Sequence, residues 1–251
     1  MTAAAVRPPP SPVQLERRRR FLRSVLLGGA AVGAALAGWI PIAIRAEPRL
    51  RPPGAIAEDE FLASCIKCGQ CVQVCPVKAI ELGDITEGFG IGVPHIDARA
   101  QACDFSCDAV QCILACPTGA LTHAISKKEE VRMGIARLAR PDACLARQGA
   151  GFKGQARGPS YTGLHRYEKV DRWKPIPVAD HPYDLELCDL CVRECPVPEA
   201  IRLGPMSDDP ADRRRHVEIT QTCVGCGMCE MICPVEPAAI VIDARAQWRP
   251  A

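Results

Sequence analysis

Cys65-Ile66-Lys67-Cys68-Gly69-Gln70-Cys71-Val72-Gln73-Val74-Cys75-Pro76 is answered near the far end of the chain by Cys223-Val224-Gly225-Cys226-Gly227-Met228-Cys229-Glu230-Met231-Ile232-Cys233-Pro234. Two looser copies lie between them: Cys103, Cys107, Cys112 and Cys116-Pro117, then Cys188, Cys191 and Cys195-Pro196, with one cysteine fewer. Repetition of this kind is read before any secondary structure. The flanks repeat as well. Short apolar segments follow each motif at Ala79–Leu82, Ala120-Leu121, Ala200–Leu203 and Ala239–Ile242, and each reads as a strand. Val93–Asp97 and His216–Thr220 read as their partners across turns. Cys75 lies 28 positions before Cys103, and Cys195 lies 28 before Cys223, so the chain holds two copies of one unit.

The CxxCxxCxxxCP run is the ligand pattern of bacterial two-cluster ferredoxins, whose cysteine thiolates hold cuboidal iron–sulfur clusters. Three cysteines three apart wrap one cluster, and the fourth ligates the other cluster of the pair. The proline after it lacks a backbone donor and restrains the turn. Gly69 and Gly227 leave room for amides to approach the sulfides and tune the potential. The crossing rule predicts one [4Fe–4S] cluster on Cys65, Cys68, Cys71 and Cys116, and its neighbour on Cys103, Cys107, Cys112 and Cys75. In the second half Cys223, Cys226 and Cys229 join Cys195, leaving Cys188, Cys191 and Cys233 one ligand short. Leu185 stands where the regular pattern would put the missing cysteine, and Cys144 is still unassigned. The expectation is four [4Fe–4S] clusters with Cys144 as the distant ligand; a [3Fe–4S] cluster with Cys144 free is the alternative. The expected fold class is α+β, two tandem bacterial two-cluster ferredoxin-like domains preceded by an N-terminal twin-arginine signal or anchor helix.

Other uses of sixteen cysteines fit less well. Disulfide scaffolds do not repeat this pattern with its proline. Zinc prefers two CxxC pairs across a longer loop, and a redox CxxC would stand alone beside a βαβ pattern. Aromatic residues are only 4% of the chain, so ring packing cannot supply a large core and the cysteine centres must compensate. A formal charge of +2, with both signs interspersed, excludes the footprint of a nucleic-acid binder. His95, His123, His165, His181 and His216 are scattered, and neither GxSxG nor a P-loop occurs. No catalytic residue is expected, and the chain reads as an electron carrier rather than an enzyme.

Residues 1–46 read as an address: Arg17–Arg20 lead into Phe21-Leu22-Arg23, the twin-arginine pattern with Arg18 and Arg19 as the pair. The route carries folded proteins, which suits a chain whose cofactors are inserted before translocation. Val25–Ile44 follows as twenty apolar residues, long enough to span a bilayer, with Trp39 at the membrane interface. Ala35-Leu36-Ala37 and the approach to Ala46 are candidate cleavage points, and a retained anchor is favoured over cleavage. Residues 47–60 read as a Pro-rich linker, 61–126 as the first ferredoxin-like domain, 127–182 as a connecting helix and irregular insertion, and 183–251 as the second domain. The helix rests on Val131, Ile135 and Leu138 near one face of Lys127–Arg140. Residues 146–182 lack sustained periodicity, and a loop of that length is often functional. Trp173 and Trp248 read as packing or docking residues, and Arg213–Arg215 as a solvated turn able to face an acidic redox partner.

Taken in order, the twin-arginine leader, the motif at Cys65–Pro76, the CxxxCxxxxCxxxCP motif at Cys103–Pro117, Met133–Leu138 running on to Cys144-Leu145, the shortened third motif and the closing CxxCxxCxxxCP resemble the NapG and MauM ferredoxin-type proteins over roughly residues 17–245. The resemblance implies a periplasmic, membrane-associated carrier. Its partners would be a polytopic membrane Fe–S/quinol dehydrogenase as donor and a periplasmic redox acceptor or maturing enzyme. In that family the cysteine matching Cys144 lies close before the third motif, whereas here 43 residues separate it from Cys188. Two other readings stay open: an accessory factor for maturation of a periplasmic redox enzyme, and the electron-wire subunit of a larger molybdenum or hydrogenase-type complex, which would pair motif one with motif four.

Overall fold

The computed structural model describes residues 12–44, 49–84, 90–107, 109–171 and 173–244. The chain divides into an N-terminal unit and a larger one carrying the cysteines. The N-terminal unit is α1 (Pro12–Ile44), a 33-residue helix built from good helix formers and bearing Arg17–Arg20. The side chains of residues 37–44, Trp39 included, and the Ala46 cleavage point lie outside the described residues. Among the described residues, no helix is long and apolar enough to cross a membrane.

In the larger unit the elements are α2 (Glu58–Ser64), α3 (Gln70–Gln73), β1 (Glu81–Leu82), β2 (Pro94–His95), α4 (Gln111–Leu114), β3 (Ile135–Leu138), α5 (Leu145–Gln148), β4 (Phe152–Gly154), β5 (Leu164–His165), β6 (Ile176–Pro177), β7 (Tyr183–Leu185), α6 (Leu190–Arg193), β8 (Ile201–Pro205), β9 (Arg215–Ile219), α7 (Met228–Met231) and β10 (Ile240–Asp243). Helices of four residues have no stability of their own. These sit inside the cysteine motifs, where tertiary packing holds them, and α3 packs on α4 as α6 packs on α7.

The duplication inferred from the motifs is visible in the pairing. In the first half β1 pairs antiparallel with β2, while Leu121, after motif two, bridges to Ala55, before motif one. In the second half β8 pairs with β9, and β10, after motif four, pairs with β3, Ile240 facing Leu138 and Asp243 facing Ile135. The core includes Phe61, Val77, Ile113 and Leu121 in one half and Leu190, Met228, Ile232 and Ile240 in the other.

Three expectations are corrected. Lys127–Arg140 is not a helix: it holds a 3-10 turn at Lys128–Glu130 and then β3. The helical spacing of Val131, Ile135 and Leu138 loses to pairing with β10, and Gly134 lies where an added Cβ would meet the Asp243 carbonyl at 2.6 Å. β3, upstream of residue 183, thus pairs with β10 after motif four. The stretch expected as linker is also structured from residue 49: Leu50 is buried and bridges to Ile96, and Arg51 lies over the Phe61 ring at 5.2 Å and donates to Glu58. The insertion is likewise built. β5 and β6 pair between β4 and β7, which pair with each other, Phe152 opposite Leu185.

Candidate metal centre

Cys65 and Cys144 each stand where a short turn of helix ends. Cys65, Cys68, Cys71 and Cys116 line one concavity of about 360 Å³, counting its open mouth, with Phe61 and Leu121 as apolar wall. Cys144, Cys188, Cys191 and Cys233 line a second of about 390 Å³, and Cys195, Cys223, Cys226 and Cys229 a third of about 270 Å³. Cys75, Cys103, Cys107 and Cys112 are within electrostatic reach of one another: Cys107 responds to Cys75, Cys112 to both, and Cys103 to Cys112.

The chain closes the gap between Cys144 and Cys188 by folding the insertion back on itself. β4 and β7 form its neck, Leu185 sits in that neck, and the Cys188 N–H donates to the Ala150 carbonyl at 3.0 Å. Two residues after Cys188, α6 begins with Leu190 buried against the concavity wall.

Backbone amides reach the sulfurs at equivalent places. The Ala79 N–H donates to Cys75 Sγ at 3.3 Å, Leu121 N–H to Cys116 Sγ at 3.4 Å and Ala239 N–H to Cys233 Sγ at 3.4 Å. Whereas at Cys195 the thiol donates to the Val197 carbonyl, the apolar segments after Cys75, Cys116 and Cys233 thus turn an amide onto the thiol. Such donors favour the thiolate. At Cys116 they overcome burial, and amides of Leu121, Thr118 and Gly119 hold its pKa below the ordinary thiol value. At five of the other cysteines burial wins, reinforced by neighbouring cysteines: Cys71 is pushed up to about 11, Cys112 to about 12 and Cys188 to about 11, while Cys103 and Cys229 are pushed well up too. Buried rings of thiols without a countercharge stay protonated, and a metal centre supplies the positive charge that lets them ionise.

Among the described residues, no group of three or more His, Cys, Asp or Glu converges to hold a lone metal ion. The foursomes surround concavities instead. All-sulfur donor sets of four, with amides aimed at the sulfurs, fit iron–sulfur clusters.

The foursomes also lie in a definite order. Cys112 of the second responds to Cys71 of the first. The Cys103 N–H donates to the Cys226 carbonyl at 3.2 Å, joining the second foursome to the one built on motif four. Cys229 of that foursome responds in turn to Cys191 of the one containing Cys144. The foursome built on motif four is the most enclosed, with Cys223, Cys226 and Cys229 buried; Cys103 and Cys112 are buried in the other inner foursome, and Cys68 at one end of the row is exposed.

Sequence reasoning passed over the seam between the halves. Arg99, from the first half, donates to the carbonyls of Glu230, Cys233 and Val235 and to the Glu236 carboxylate. His165, dismissed among scattered histidines, lies buried with Nε2 3.0 Å from Glu194 Oε2 and Nδ1 3.5 Å from Asp104 Oδ2. Burial alone would lower its pKa, but the two carboxylates raise it, and Asp104 is lowered against burial by His165 and Ser106. The only sequence signal was an acidic residue beside a cysteine at Cys103-Asp104 and Glu194-Cys195.

Residues 64–120 match the family model of a 4Fe-4S dicluster domain, and residues 220–236 that of a 4Fe-4S binding domain. The chain is 35% identical to the ferredoxin-type protein NapG of Escherichia coli K12, over 90% of this chain and 84% of that one. It is 34% identical to the methylamine utilization ferredoxin-type protein MauM of Methylorubrum extorquens, over 93% of this chain and 91% of that one. The ferredoxin-type protein NapF of Escherichia coli K12 is more distant, at 25% identity over 76% of this chain. No solved structure matches the chain. With cysteine rings suited to iron–sulfur clusters and relatives of this closeness along nearly its whole length, the chain is an iron–sulfur electron-transfer protein that belongs to the NapG and MauM family of ferredoxin-type proteins.

Proposed function

We propose that the chain carries four [4Fe–4S] clusters and relays electrons from a quinol-oxidising membrane partner to a periplasmic redox acceptor. The observation that carries this reading is the row of four cysteine foursomes, joined where α3 with Cys71 packs on α4 with Cys112, where the Cys103 N–H meets the Cys226 carbonyl, and where α6 with Cys191 packs on α7 with Cys229. Each cluster, when bound, supplies one-electron redox chemistry at a potential set by charge, sulfur hydrogen bonds and exposure. Cys65, Cys68, Cys71 and Cys116 hold the first; Cys75, Cys103, Cys107 and Cys112 the second; Cys195, Cys223, Cys226 and Cys229 the third in the row; and Cys144, Cys188, Cys191 and Cys233 the last. Phe61 and Leu121 shield the first site, and the buried cysteines of the inner sites exclude water there. Pairing of motif one with motif two and of three with four favours two ferredoxin-like halves over the motif-one-with-four arrangement of larger complexes.

Arg18 and Arg19 with Phe21-Leu22-Arg23 make twin-arginine export of the folded, loaded chain the consistent route to the periplasm, with α1 as the segment that associates with the membrane. Iron and acid-labile sulfide on the anaerobically purified chain test the central claim. About sixteen of each per chain is expected from four cubane sites; zinc without sulfide would overturn it.

The near-equal identity to MauM supports a second reading, service in maturation of a periplasmic enzyme. Deletion would then leave the partner enzyme immature even when artificial electron donors are supplied, whereas a relay's loss is bypassed by such donors.

A further inference from the structure

The insertion between Cys144 and Cys188 is strapped across the junction of the two halves. Gln101 and Leu164 exchange two hydrogen bonds, Gln101 Nε2 to the Leu164 carbonyl at 2.9 Å and Leu164 N–H to Gln101 Oε1 at 2.7 Å. Tyr161 donates to the Ala100 carbonyl at 2.6 Å, and Arg157 reaches the carbonyls of both Arg99 and Met231. One strap therefore holds a strip of the first half and a strip of the second.

At its centre His165 fills the space between Asp104 and Glu194. Its side chain is 7% exposed, that of Asp104 1% and that of Glu194 11%. Asp104 follows Cys103 in sequence, and its charge acts on Cys103 and Cys107 of one inner foursome and on Cys226 of the other. Glu194 precedes Cys195, which belongs to that same second foursome. The Asp104 carboxylate is fixed by the N–H groups of Ser106 at 2.9 Å and Arg166 at 3.0 Å. Behind His165, Tyr167 packs edge-on at 4.5 Å between centroids, and His181 stacks on Tyr167 at 3.9 Å, which locks the imidazole in place.

Two carboxylates buried between a pair of redox sites oppose the addition of an electron to either one, since like charge in a poorly solvated interior is screened little. A donor held between them offsets that repulsion. We propose that His165 is a positioning residue that orients Asp104 and Glu194, offsets part of their charge and thereby tunes the reduction potentials of the two inner centres, leaving the outer two untouched. The insertion is thus part of the relay's interior rather than an added docking loop. This rests on the four-cluster reading of the chain.

The test is a redox titration, followed by electron paramagnetic resonance at one fixed pH, of the full loaded chain and of His165→Gln. Glutamine approximates the volume of histidine and can still donate a hydrogen bond, but it brings no positive charge to set against the carboxylates. With iron and sulfide unchanged, two of the four reduction steps should move to more negative potential and two should stay. Adding Asp104→Asn to His165→Gln should return the displaced pair towards its original position. Potentials that do not move, or four that move together, would overturn the proposal. If His165→Gln fails to retain its clusters, Asp104→Asn alone decides the matter: a positive shift confined to two steps supports the proposal and no selective shift defeats it. A wild-type chain short of iron for four centres sinks the four-cluster reading and this proposal together, whereas full iron with immobile potentials sinks this proposal alone.

Discussion

Cys65 and Cys144 leave their helical turns in one backbone conformation, φ −73° and ψ 112° for the first, φ −72° and ψ 116° for the second. Cys65 caps α2, and Cys144 caps the 3-10 turn Pro141–Ala143 that follows β3. The two share one local geometry, as the proposed ligand role of Cys144 requires.

Cys144→Ser should therefore behave as Cys65→Ser does. Each should remove about one to four irons per chain, depending on whether the site survives as a three-iron cluster. Iron analysis with electron paramagnetic resonance of the oxidised protein reads this directly. Full iron content in Cys144→Ser would make Cys144 a bystander.

Arg99→Ala should destabilise the junction of the halves. Its side chain is 19% exposed and serves the carbonyls of Glu230, Met231, Cys233 and Val235 together with the Glu236 carboxylate. Charge-assisted hydrogen bonds are worth roughly 1.5–3 kcal/mol each, and the abandoned carbonyls are enclosed, so a loss of about 3 kcal/mol or more is expected. Anaerobic denaturant unfolding measures it; a change below about 1 kcal/mol would show that the carbonyls find water.

Gly225→Ala should be poorly tolerated for two separate reasons. The residue sits at φ +73°, and an added Cβ would strike the backbone of Gly134. A left-handed alanine alone costs about 1–3 kcal/mol, and here neither backbone can yield without disturbing β3 and β10. The expected readout is reduced cluster yield and a lower unfolding midpoint, while alanine at Gly69, where the added Cβ meets nothing within 4 Å, should show only the conformational part.

Cluster assembly should expel protons even in alkaline buffer. Burial places the unloaded thiols of Cys71 and Cys188 near 11 and of Cys112 near 12, against an ordinary value of 9.0. Since a raised thiol pKa means the proton is held until iron displaces it, reconstitution at pH about 9.5 should still release nearly one proton from each such cysteine. A pH-stat measures the release. Ordinary thiols would already be mostly ionised there and release few.

Much of this protein is legible in its sequence because local covalent spacing dictates it. Cysteines three apart must share a loop, a proline after the fourth must end the turn, and equal 28-residue intervals must reflect a repeated unit. The short strands at Glu81–Leu82, Ile201–Pro205 and Ile240–Asp243 were readable as apolar segments after Cys-Pro, whereas Ala120-Leu121, read as a strand, makes only a single bridge from Leu121 to Ala55. What failed was decided by partners distant in sequence. Lys127–Arg140 carries helical spacing, yet Ile135–Leu138 is a strand because Ile240–Asp243 offers it a ladder. Only the tertiary structure brings Cys144 across 43 residues to Cys188, through a neck of paired strands that no local signal marks. The same holds for His165, whose role comes from two carboxylates 61 and 29 positions away. Metal-ligand chemistry is written in neighbouring residues, whereas the electrostatic setting of those ligands depends on which surfaces meet once the halves have packed.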